Sequence, residues 1–224
     1  MTQNKAPVAE VFYSLQGEGQ NLGKPSIFVR FWGCNLNCCF CDTPYAVKEE
    51  KDKAINHSIV TLQHEINKVS SDCKHIVFTG GEPLLYSEFI ENFIEKFHDY
   101  KIEIETNGTL PVSYFLGTMV SLFNVSVKLD NSAVEEYRRI IPFALRTFPK
   151  LHTNFKFVIE SKNDILEVEY LVKQYGFKTY LMPKGVTQDE ITQTSSIVAS
   201  LCLKYNYNFS PRLHINLWHG NRGK

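Results

Sequence analysis

Four of the six cysteines in the chain lie within one short polar segment, residues 33–43. Cys34, Cys38 and Cys41 are spaced CxxxCxxC, and three thiolates close together on one loop can hold three corners of an iron–sulfur cube. The fourth iron would then have no protein ligand, and an open coordination position is typical of a catalytic metal centre. The sequence therefore predicts a catalytic 4Fe-4S cluster bound by these three cysteines.

Cys39 leaves other ligand sets arithmetically possible, namely Cys34 with Cys38 and Cys39, or all four cysteines together. Because adjacent side chains diverge, we expect Cys39 to be a packed, neutral thiol. Structural zinc needs four ligands, usually in two pairs, and Cys73 and Cys202 are isolated. A ferredoxin would need a fourth cysteine for its last iron. A non-catalytic metal-binding protein remains the alternative from a different class.

The composition excludes a strong electrostatic partner. Lysines and arginines number 24 and match 24 aspartates and glutamates, so no net field would attract nucleic acid or a membrane surface. No apolar run approaches the roughly 20 residues that span a bilayer, and the first ten residues lack the apolar stretch of a signal peptide. We therefore expect a cytoplasmic protein, in which thiols stay reduced.

The elements that must position the cysteines follow a pattern of alternating strands and helices. Strands are predicted at 8–13, 26–32, 75–78, 101–105, 125–129, 154–159 and 178–182, and helices around 62–69, 85–97, 134–148, 165–175 and 187–205. Such alternation implies parallel pairing with right-handed crossovers. About six strands are too few for a closed eight-stranded barrel. We therefore predict an α/β fold: one domain, residues 1–224, forming an open, partial parallel β/α barrel with its cluster loop at 33–57.

Polar segments follow several of these strands, where the chemistry of parallel sheets gathers. Gly80 and Gly81 would let the backbone approach a ligand closely. The segment 14–19 carries an amide and a carboxylate around a glycine, which can contact a heterocycle with adjacent donors and acceptors, such as a pterin edge. Arg30 is expected on the concave face of its strand, where a buried guanidinium needs an anion such as a carboxylate.

A CxxxCxxC motif followed about forty residues later by a strand and Gly80-Gly81-Glu82 resembles the radical S-adenosylmethionine superfamily, from about residue 9 onward. The resemblance implies that the open iron binds S-adenosylmethionine, that one electron from the reduced cluster splits it, and that the resulting 5′-deoxyadenosyl radical takes a hydrogen atom from substrate. It also implies the cofactor-binding residues Phe40, Asp42, Gly81, Glu82, Asn107, Ser126, Val127, Lys128 and Met182.

Residues 15–19, Arg30 and Cys41-Asp42-Thr43 further resemble the 7-carboxy-7-deazaguanine synthase family, which acts in the queuosine and 7-deazapurine pathway. The resemblance implies a lyase that contracts the ring of 6-carboxy-5,6,7,8-tetrahydropterin with loss of ammonia. Mg2+ would bind at Thr43, where hard oxygen ligands and retained water suit it. The implied substrate-binding residues are Leu15, Gln16, Gly17, Glu18, Arg30, Thr79 and His214.

The same resemblance implies two partners: a second copy in a homodimer, and an electron donor such as a flavodoxin or ferredoxin. A glycyl-radical enzyme activase of the same superfamily is the alternative within the class. It would share the cysteine motif and Gly-Gly-Glu but would act on a partner protein. It would have no need for Gln16, Glu18, Arg30 and Thr43 around a pterin.

Overall fold

A computed structural model describes residues 4–224, and this part of the chain forms one continuous sheet of nine strands. The order across the sheet is β3-β1-β2-β4-β5-β6-β7-β8-β9. The strands are β1 (Ala6–Leu15), β2 (Pro25–Phe31), β3 (Ile55–His57), β4 (His75–Gly80), β5 (Lys101–Thr106), β6 (Leu122–Val125), β7 (Thr153–Ile159), β8 (Lys178–Pro183) and β9 (Asn208–Phe209). Since β3 and β9 are its two edges, the sheet is open, and the predicted partial barrel is confirmed.

Eight α-helices lie in the described part of the chain. They are α1 (Ile59–Val69), α2 (Ser87–Lys96), α3 (Tyr114–Met119), α4 (Glu136–Arg139), α5 (Pro142–Thr147), α6 (Ile165–Tyr175), α7 (Gln188–Tyr205) and α8 (Leu213–Trp218). Side-chain oxygens cap several of them: Ser58 accepts from the main chain at the start of α1, and Thr187 and Glu190 form a capping box on α7. Such caps satisfy main-chain N–H groups that the first turn leaves free.

Alternation along the strands separates two faces of the sheet. One face carries apolar residues that pack against the helices: Ile27, Val29, Phe31, Ile102, Ile104, Phe155 and Phe157 are all 1% exposed or less. The other, which we call the inner face, carries Phe28, Arg30, Glu105, Lys156 and Val158, all of which line a cavity. Polar residues at alternate strand positions are thus collected on one face.

The first two strands differ from the predicted all-parallel pairing. They form an antiparallel hairpin, with Val8 opposite Phe31 and Leu15 opposite Pro25. A short connection between consecutive strands permits such a hairpin, whereas parallel strands need a longer crossover. Strand β3, which lies within the segment predicted as the cluster loop, also pairs antiparallel with β1. The pairings from β2 through β4 to β9 are parallel, as predicted. The segment after β1 therefore lies at the opposite end of the strands from the cysteine segment that follows β2.

Other boundaries also differ from the sequence prediction. The strand expected at 125–129 lies at Leu122–Val125, and Val127 and Leu129 are buried after the strand has ended. The helix expected at 134–148 is two short helices, since Pro142 starts a new one. Helix α3 was not predicted. His214, which the resemblance implies as a substrate-binding residue, lies in the six-residue helix α8.

Candidate active site

One cavity of about 1010 Å³ extends along the inner face of the sheet and contains most of the predicted site residues. Those that line it are Leu15, Gln16, Gly17, Glu18, Arg30, Cys34, Cys38, Phe40, Cys41, Asp42, Thr43, Thr79, Gly81, Asn107, Ser126, Lys128, Met182 and His214. Glu82 and Val127 do not line it. Because the segments after β1 and β2 lie at opposite ends of the strands, the cavity spans both ends of the inner face.

The cysteine segment begins where β2 ends, and its geometry is set by main-chain hydrogen bonds. The N–H of Gly33 donates to the carbonyl of Ala46 (2.7 Å), which closes the base of the loop. All four cysteines of the segment line the cavity, and Cys34, Cys38 and Cys41 are partly buried. Cys39 is exposed, so the prediction that it is packed is wrong, and its thiol lies 3.4 Å from the main-chain oxygen of Asn131. The structure thus directs the fourth thiol of the segment toward a neighbouring loop.

Burial and hydrogen-bond donors characterise the surroundings of the three thiols. Burial raises the pKa of the Cys34 thiol to about 11 and also raises that of Cys38, so a metal must displace protons to bind. The N–H of Leu36 lies 3.4 Å from Cys34 Sγ and the amide of Asn107 lies 3.8 Å from it. Such hydrogen bonds to sulfur tune cluster potentials. Within residues 4–224, no three His, Cys, Asp or Glu side chains converge to hold one metal ion, and cube-bound thiolates need not converge.

The glycine pair after β4 packs against the base of the cysteine segment. A Cβ on Gly81 would lie 2.1 Å from the carbonyl oxygen of Gly33, and one on Gly80 would lie 2.3 Å from that of Phe31. Gly80 also has a φ of 137°, which L side chains rarely adopt. Gly80 and Gly81 were predicted to approach a ligand closely. In the structure they approach the backbone of residues 31–33. This approach brings β4 and the cysteine loop together at the cavity wall.

Glu82 supports the site from behind. It is fully buried, and its carboxylate accepts hydrogen bonds from Leu84 N (3.0 Å), Thr106 Oγ1 (2.7 Å) and Asn107 N (2.7 Å). Asn107 in turn donates to Asn35 Oδ1 (3.0 Å) in the cysteine segment. Glu82 therefore orients the Asn107 turn, and its side chain does not enter the cavity.

Arg30 projects from β2 into the cavity, as predicted for the concave face. Its Nε donates to Glu10 Oε1 (2.7 Å), and the Tyr45 hydroxyl donates to the same oxygen (2.7 Å). Burial alone would raise the pKa of Glu10, but Arg30, Tyr45 and Arg222 together lower it. Within residues 4–224 the two terminal nitrogens of Arg30 make no hydrogen bond. The guanidinium is thus held by its inner nitrogen and presents its outer pair to the cavity.

A chain of ion pairs joins the segment after β1 to the cysteine segment. Glu18 pairs with Lys156 and with Arg212 (Nε to Oε1, 3.1 Å), and Arg212 also pairs with Asp42. Burial would raise the pKa of Glu18, but the two cations outweigh it and hold that pKa well below its ordinary value. The same balance, dominated by Arg212, lowers the pKa of Asp42. Three loops therefore meet through one buried arginine.

Two carboxylates of β5, Glu103 and Glu105, were absent from the predicted site. The Gln16 amide donates to both, at 2.7 Å and 3.1 Å, and Thr79 Oγ1 donates to Glu105 (2.9 Å). The signal was available in the sequence, since 101–106 reads KIEIET and alternation places both glutamates on the face opposite Ile102 and Ile104. Lys156 in β7 was missed in the same way, while Arg212 lay in a segment from which only His214 was predicted.

His214 lies directly over Gly17. A Cβ added to Gly17 would be 2.2 Å from His214 Nδ1, so only glycine leaves room for the ring. The N–H of Leu213 donates to the carbonyl of Gly17 (2.9 Å), which fixes α8 on the segment after β1. Burial lowers the pKa of His214 against the opposing charge of Glu18. The imidazole is therefore neutral at pH 7.

The predicted cofactor segments lie around the cysteine end of the cavity. Lys128 Nζ donates to Ser126 Oγ (2.9 Å), and the ammonium group of Lys184 lies 5.4 Å from the ring centroid of Phe40. Met182, at the end of β8, is 4% exposed and lines the cavity. Two ammonium groups, one hydroxyl group and an apolar thioether thus line this part of the cavity.

An open parallel sheet, with a CxxxCxxC loop after one strand and a Gly-Gly pair after the next, defines the class of radical S-adenosylmethionine proteins. The family model described as "Radical SAM superfamily" matches residues 30–196. The crystal structure of QueE from Escherichia coli superimposes with a TM-score of 0.73, covering 94% of this chain and 95% of that one at 24% identity. That likeness shows the fold.

Relatives of higher identity place the chain within the class. A 7-carboxy-7-deazaguanine synthase of Pyrobaculum aerophilum is 33% identical over 232 residues, covering 97% of this chain and 96% of its own. One from Halobacterium salinarum is 33% identical over 241 residues, covering 95% and 90%. The chain belongs to the 7-carboxy-7-deazaguanine synthase family. In the described part of the chain, no helix is long and apolar enough to cross a bilayer.

Proposed function

We propose that this protein is a carbon–nitrogen lyase that converts 6-carboxy-5,6,7,8-tetrahydropterin to 7-carboxy-7-deazaguanine with release of ammonia. The proposal rests mainly on one observation: a single cavity is lined by the three thiols and by the partly unpaired guanidinium of Arg30. At about 1010 Å³ the cavity lies at the upper end of the range of about 300–1,000 Å³ that is usual for ligand pockets. A cavity of this size, lined by both groups, supports a cofactor and a substrate bound side by side.

A 4Fe-4S cluster would be held by Cys34, Cys38 and Cys41, and S-adenosylmethionine by the residues around them. When bound, the pair supplies a 5′-deoxyadenosyl radical that removes a hydrogen atom from carbon 6 of the substrate. The protein's part is to orient the ligands and exclude water. Main-chain and amide donors near Cys34, and the hydroxyl and ammonium groups of Ser126 and Lys128, support this placement.

Arg30 would bind the carboxylate of the substrate. Its two outer nitrogens match two carboxylate oxygens in forked geometry. Glu10 holds the inner nitrogen, and the Tyr45 hydroxyl holds Glu10, so the guanidinium is oriented before substrate arrives. Lysine at this position would provide charge without the planar fork.

The pterin edge would lie against Glu105, Gln16 and Thr79. A pterin presents an amino group and a ring N–H side by side, and a carboxylate accepts from both. Glu105 is half-buried and positioned by Thr79 and Gln16. His214, neutral at pH 7, would cover the heterocycle from α8 without adding charge.

Mg2+ would bind at Thr43, beside the substrate carboxylate. The Thr43 hydroxyl lines the cavity 3.9 Å from Cys41 Sγ, next to the Asp42 carboxylate that Arg212 holds. Mg2+ keeps several waters and is often held by few protein ligands together with substrate. One hydroxyl with water and substrate oxygens fits that preference.

We also propose a cytoplasmic homodimer that accepts electrons from a flavodoxin or ferredoxin.

The decisive experiment is anaerobic reconstitution with iron and sulfide, followed by incubation with 6-carboxytetrahydropterin, S-adenosylmethionine, Mg2+ and a reductant. Mass spectrometry should detect 7-carboxy-7-deazaguanine and 5′-deoxyadenosine, with ammonia released. Cleavage of S-adenosylmethionine that leaves the pterin unchanged would contradict the substrate assignment. Protein that carries zinc, or a cluster with four protein ligands, would contradict the reaction class.

A further inference from the structure

A buried carboxylate lies beneath the proposed pterin end of the cavity and outside its lining. Glu103 in β5 has no measurable exposure. Within residues 4–224 it forms no ion pair with lysine or arginine; the imidazole Nε2 of His75 is 3.4 Å from its Oε2. Burial lowers the pKa of His75 to about 4, so that ring is neutral at pH 7. A buried carboxylate without a cation is costly unless several hydrogen bonds satisfy it.

Three side-chain amides supply those hydrogen bonds. Gln16 Nε2 and Asn124 Nδ2 donate to Glu103 Oε1, at 2.7 Å and 2.5 Å, and Asn21 Nδ2 donates to Oε2 at 2.6 Å. Gln16 and Asn21 both belong to the connection between β1 and β2. One carboxylate therefore ties two points of that connection, its first residue and its middle, to β5.

The contact also decides which way the Gln16 amide points. Because both carboxylates of β5 accept from its nitrogen, its oxygen faces away from them and accepts from Glu18 N (3.2 Å). That bond fixes the turn 16–18, and hence the carboxylate of Glu18. Glu103 lies in β5, outside this turn, but its hydrogen bond to Gln16 fixes the conformation of the turn. The turn forms one wall of the cavity.

We propose that Glu103 is a positioning residue that anchors the 16–21 segment and thereby sets the affinity for the heterocyclic substrate. The inference rests on the proposed function, because it assumes that this wall contacts a pterin. Glu103 acts through Gln16 and Asn21 and lies too deep to touch substrate. Its loss should leave the cluster and S-adenosylmethionine end of the cavity intact.

The test is a double-mutant cycle that exchanges donor and acceptor: Glu103→Gln, Asn21→Asp and the double variant. In Glu103→Gln an amide nitrogen faces the Asn21 amide, and in Asn21→Asp two carboxylates face each other. Each single variant should raise KM for the pterin about tenfold or more, since an unsatisfied buried polar contact costs about 1–3 kcal/mol. In the double variant the new amide donates to the new carboxylate, so KM should return toward the wild-type value.

Three readouts separate this role from general damage to the fold. The visible spectrum of the cluster and the affinity for S-adenosylmethionine should match wild type in all variants. Amide hydrogen exchange over residues 16–24 should accelerate in both single variants and slow again in the double variant, whatever the substrate is. Glu169→Gln, the same change at an exposed residue of α6 bonded to Tyr207, is the matched control and should change nothing.

The outcomes that overturn the proposal are specific. An unchanged KM in Glu103→Gln, or additive losses in the double variant, would show that Glu103 does not position the segment. Loss of cluster in the single variants would show a purely structural role. Failure of the wild-type protein to turn over the pterin would contradict the proposed function instead, and the exchange measurements would still decide the anchoring role.

Discussion

At the scale of single residues, the site combines groups whose protonation is shifted by burial. The thiol pKa of Cys34 is raised to about 11, so the free protein holds a neutral thiol at that position. A metal that binds the Cys34 sulfur must therefore displace the thiol proton. Cys39 is exposed and lines the same cavity, and its thiol donates to the Asn131 carbonyl.

Single alanine variants of the four clustered cysteines should fall into two groups. Cys34→Ala, Cys38→Ala and Cys41→Ala should each lose the reconstituted cluster and all S-adenosylmethionine cleavage, because each removes one corner ligand. Cys39→Ala should keep both and serves as the control. Iron and sulfide content with the visible spectrum measures the outcome. Loss of iron in Cys39→Ala but not in Cys41→Ala would overturn the ligand assignment.

Replacement of Arg30 by lysine should weaken substrate binding while the cluster stays intact. Lysine keeps the charge but cannot make the forked contact or donate to Glu10 in the same geometry, so we expect about a tenfold or greater rise in the Kd of the pterin. Arg146→Lys, at an exposed arginine of α5, is the matched control. Anaerobic calorimetry measures the Kd of the pterin for both variants. Equal Kd values for Arg30→Lys and Arg146→Lys would refute the role of Arg30.

At the scale of elements, the site depends on how closely the ends of β2 and β4 approach each other. The N–H of Gly81 donates to the Phe31 carbonyl (3.1 Å), and Glu82 N donates to the Gly33 carbonyl (2.8 Å). These bonds continue the parallel ladder past the ends of the strands. They fix the first turn of the cysteine segment to the most buried part of the sheet.

Gly81→Ala should destabilise the protein and impair cluster assembly, because the new methyl group would lie 2.1 Å from a main-chain oxygen that cannot move freely. We expect a loss of about 1–3 kcal/mol in the free energy of unfolding. Gly117→Ala provides the control, since in α3 its methyl would meet nothing closer than 3.9 Å. That change should be neutral or stabilise by up to about 1 kcal/mol. Urea unfolding of both apoproteins measures the difference, and equal stabilities would contradict the packing argument.

At the scale of the whole molecule, carboxyl groups whose pKa values shift in opposite directions set the pH dependence of stability. Glu18, Glu10 and Asp42 have lowered pKa values, so their contribution is present above their unfolded pKa and is lost as pH falls. Glu103 behaves oppositely, because burial and the nearby Glu105 raise its pKa to about 7. The folded state therefore holds that proton when the unfolded chain has already released it.

From this difference we expect Glu103 to lower stability as pH rises from about 4.5 to about 7, and to add no further change above that range. The slope contributed is at most about 1.4 kcal/mol per pH unit. Glu103→Gln should remove this pH dependence. The free energy of unfolding of the wild type should therefore fall relative to that of the variant as pH rises across this interval. Urea unfolding at pH 5, 6, 7 and 8 measures it. Parallel curves for the two proteins would show that Glu103 does not titrate there.

Local sequence patterns determined much of this protein. The CxxxCxxC spacing, the Gly-Gly pair and the strand–helix alternation depend on neighbouring residues, so the cysteine loop, six parallel strands and helices α1, α2, α6 and α7 could be predicted with boundaries a few residues off. Strand alternation and resemblance both indicated Arg30, and resemblance supplied the substrate residues Thr79 and His214. All three line the cavity, although their roles stay predictions.

Only the tertiary structure decided what joins distant segments. The antiparallel β1–β2 hairpin placed residues 15–19 at the far end of the inner face, where Glu103 and Asn21 hold them. Arg212 contacts Glu18 and Asp42, which are 194 and 170 residues away in the chain. No local period encodes such pairs, because they exist only once the sheet brings its inner face together. The sequence determined which groups are present, and the folded sheet determined which of them meet.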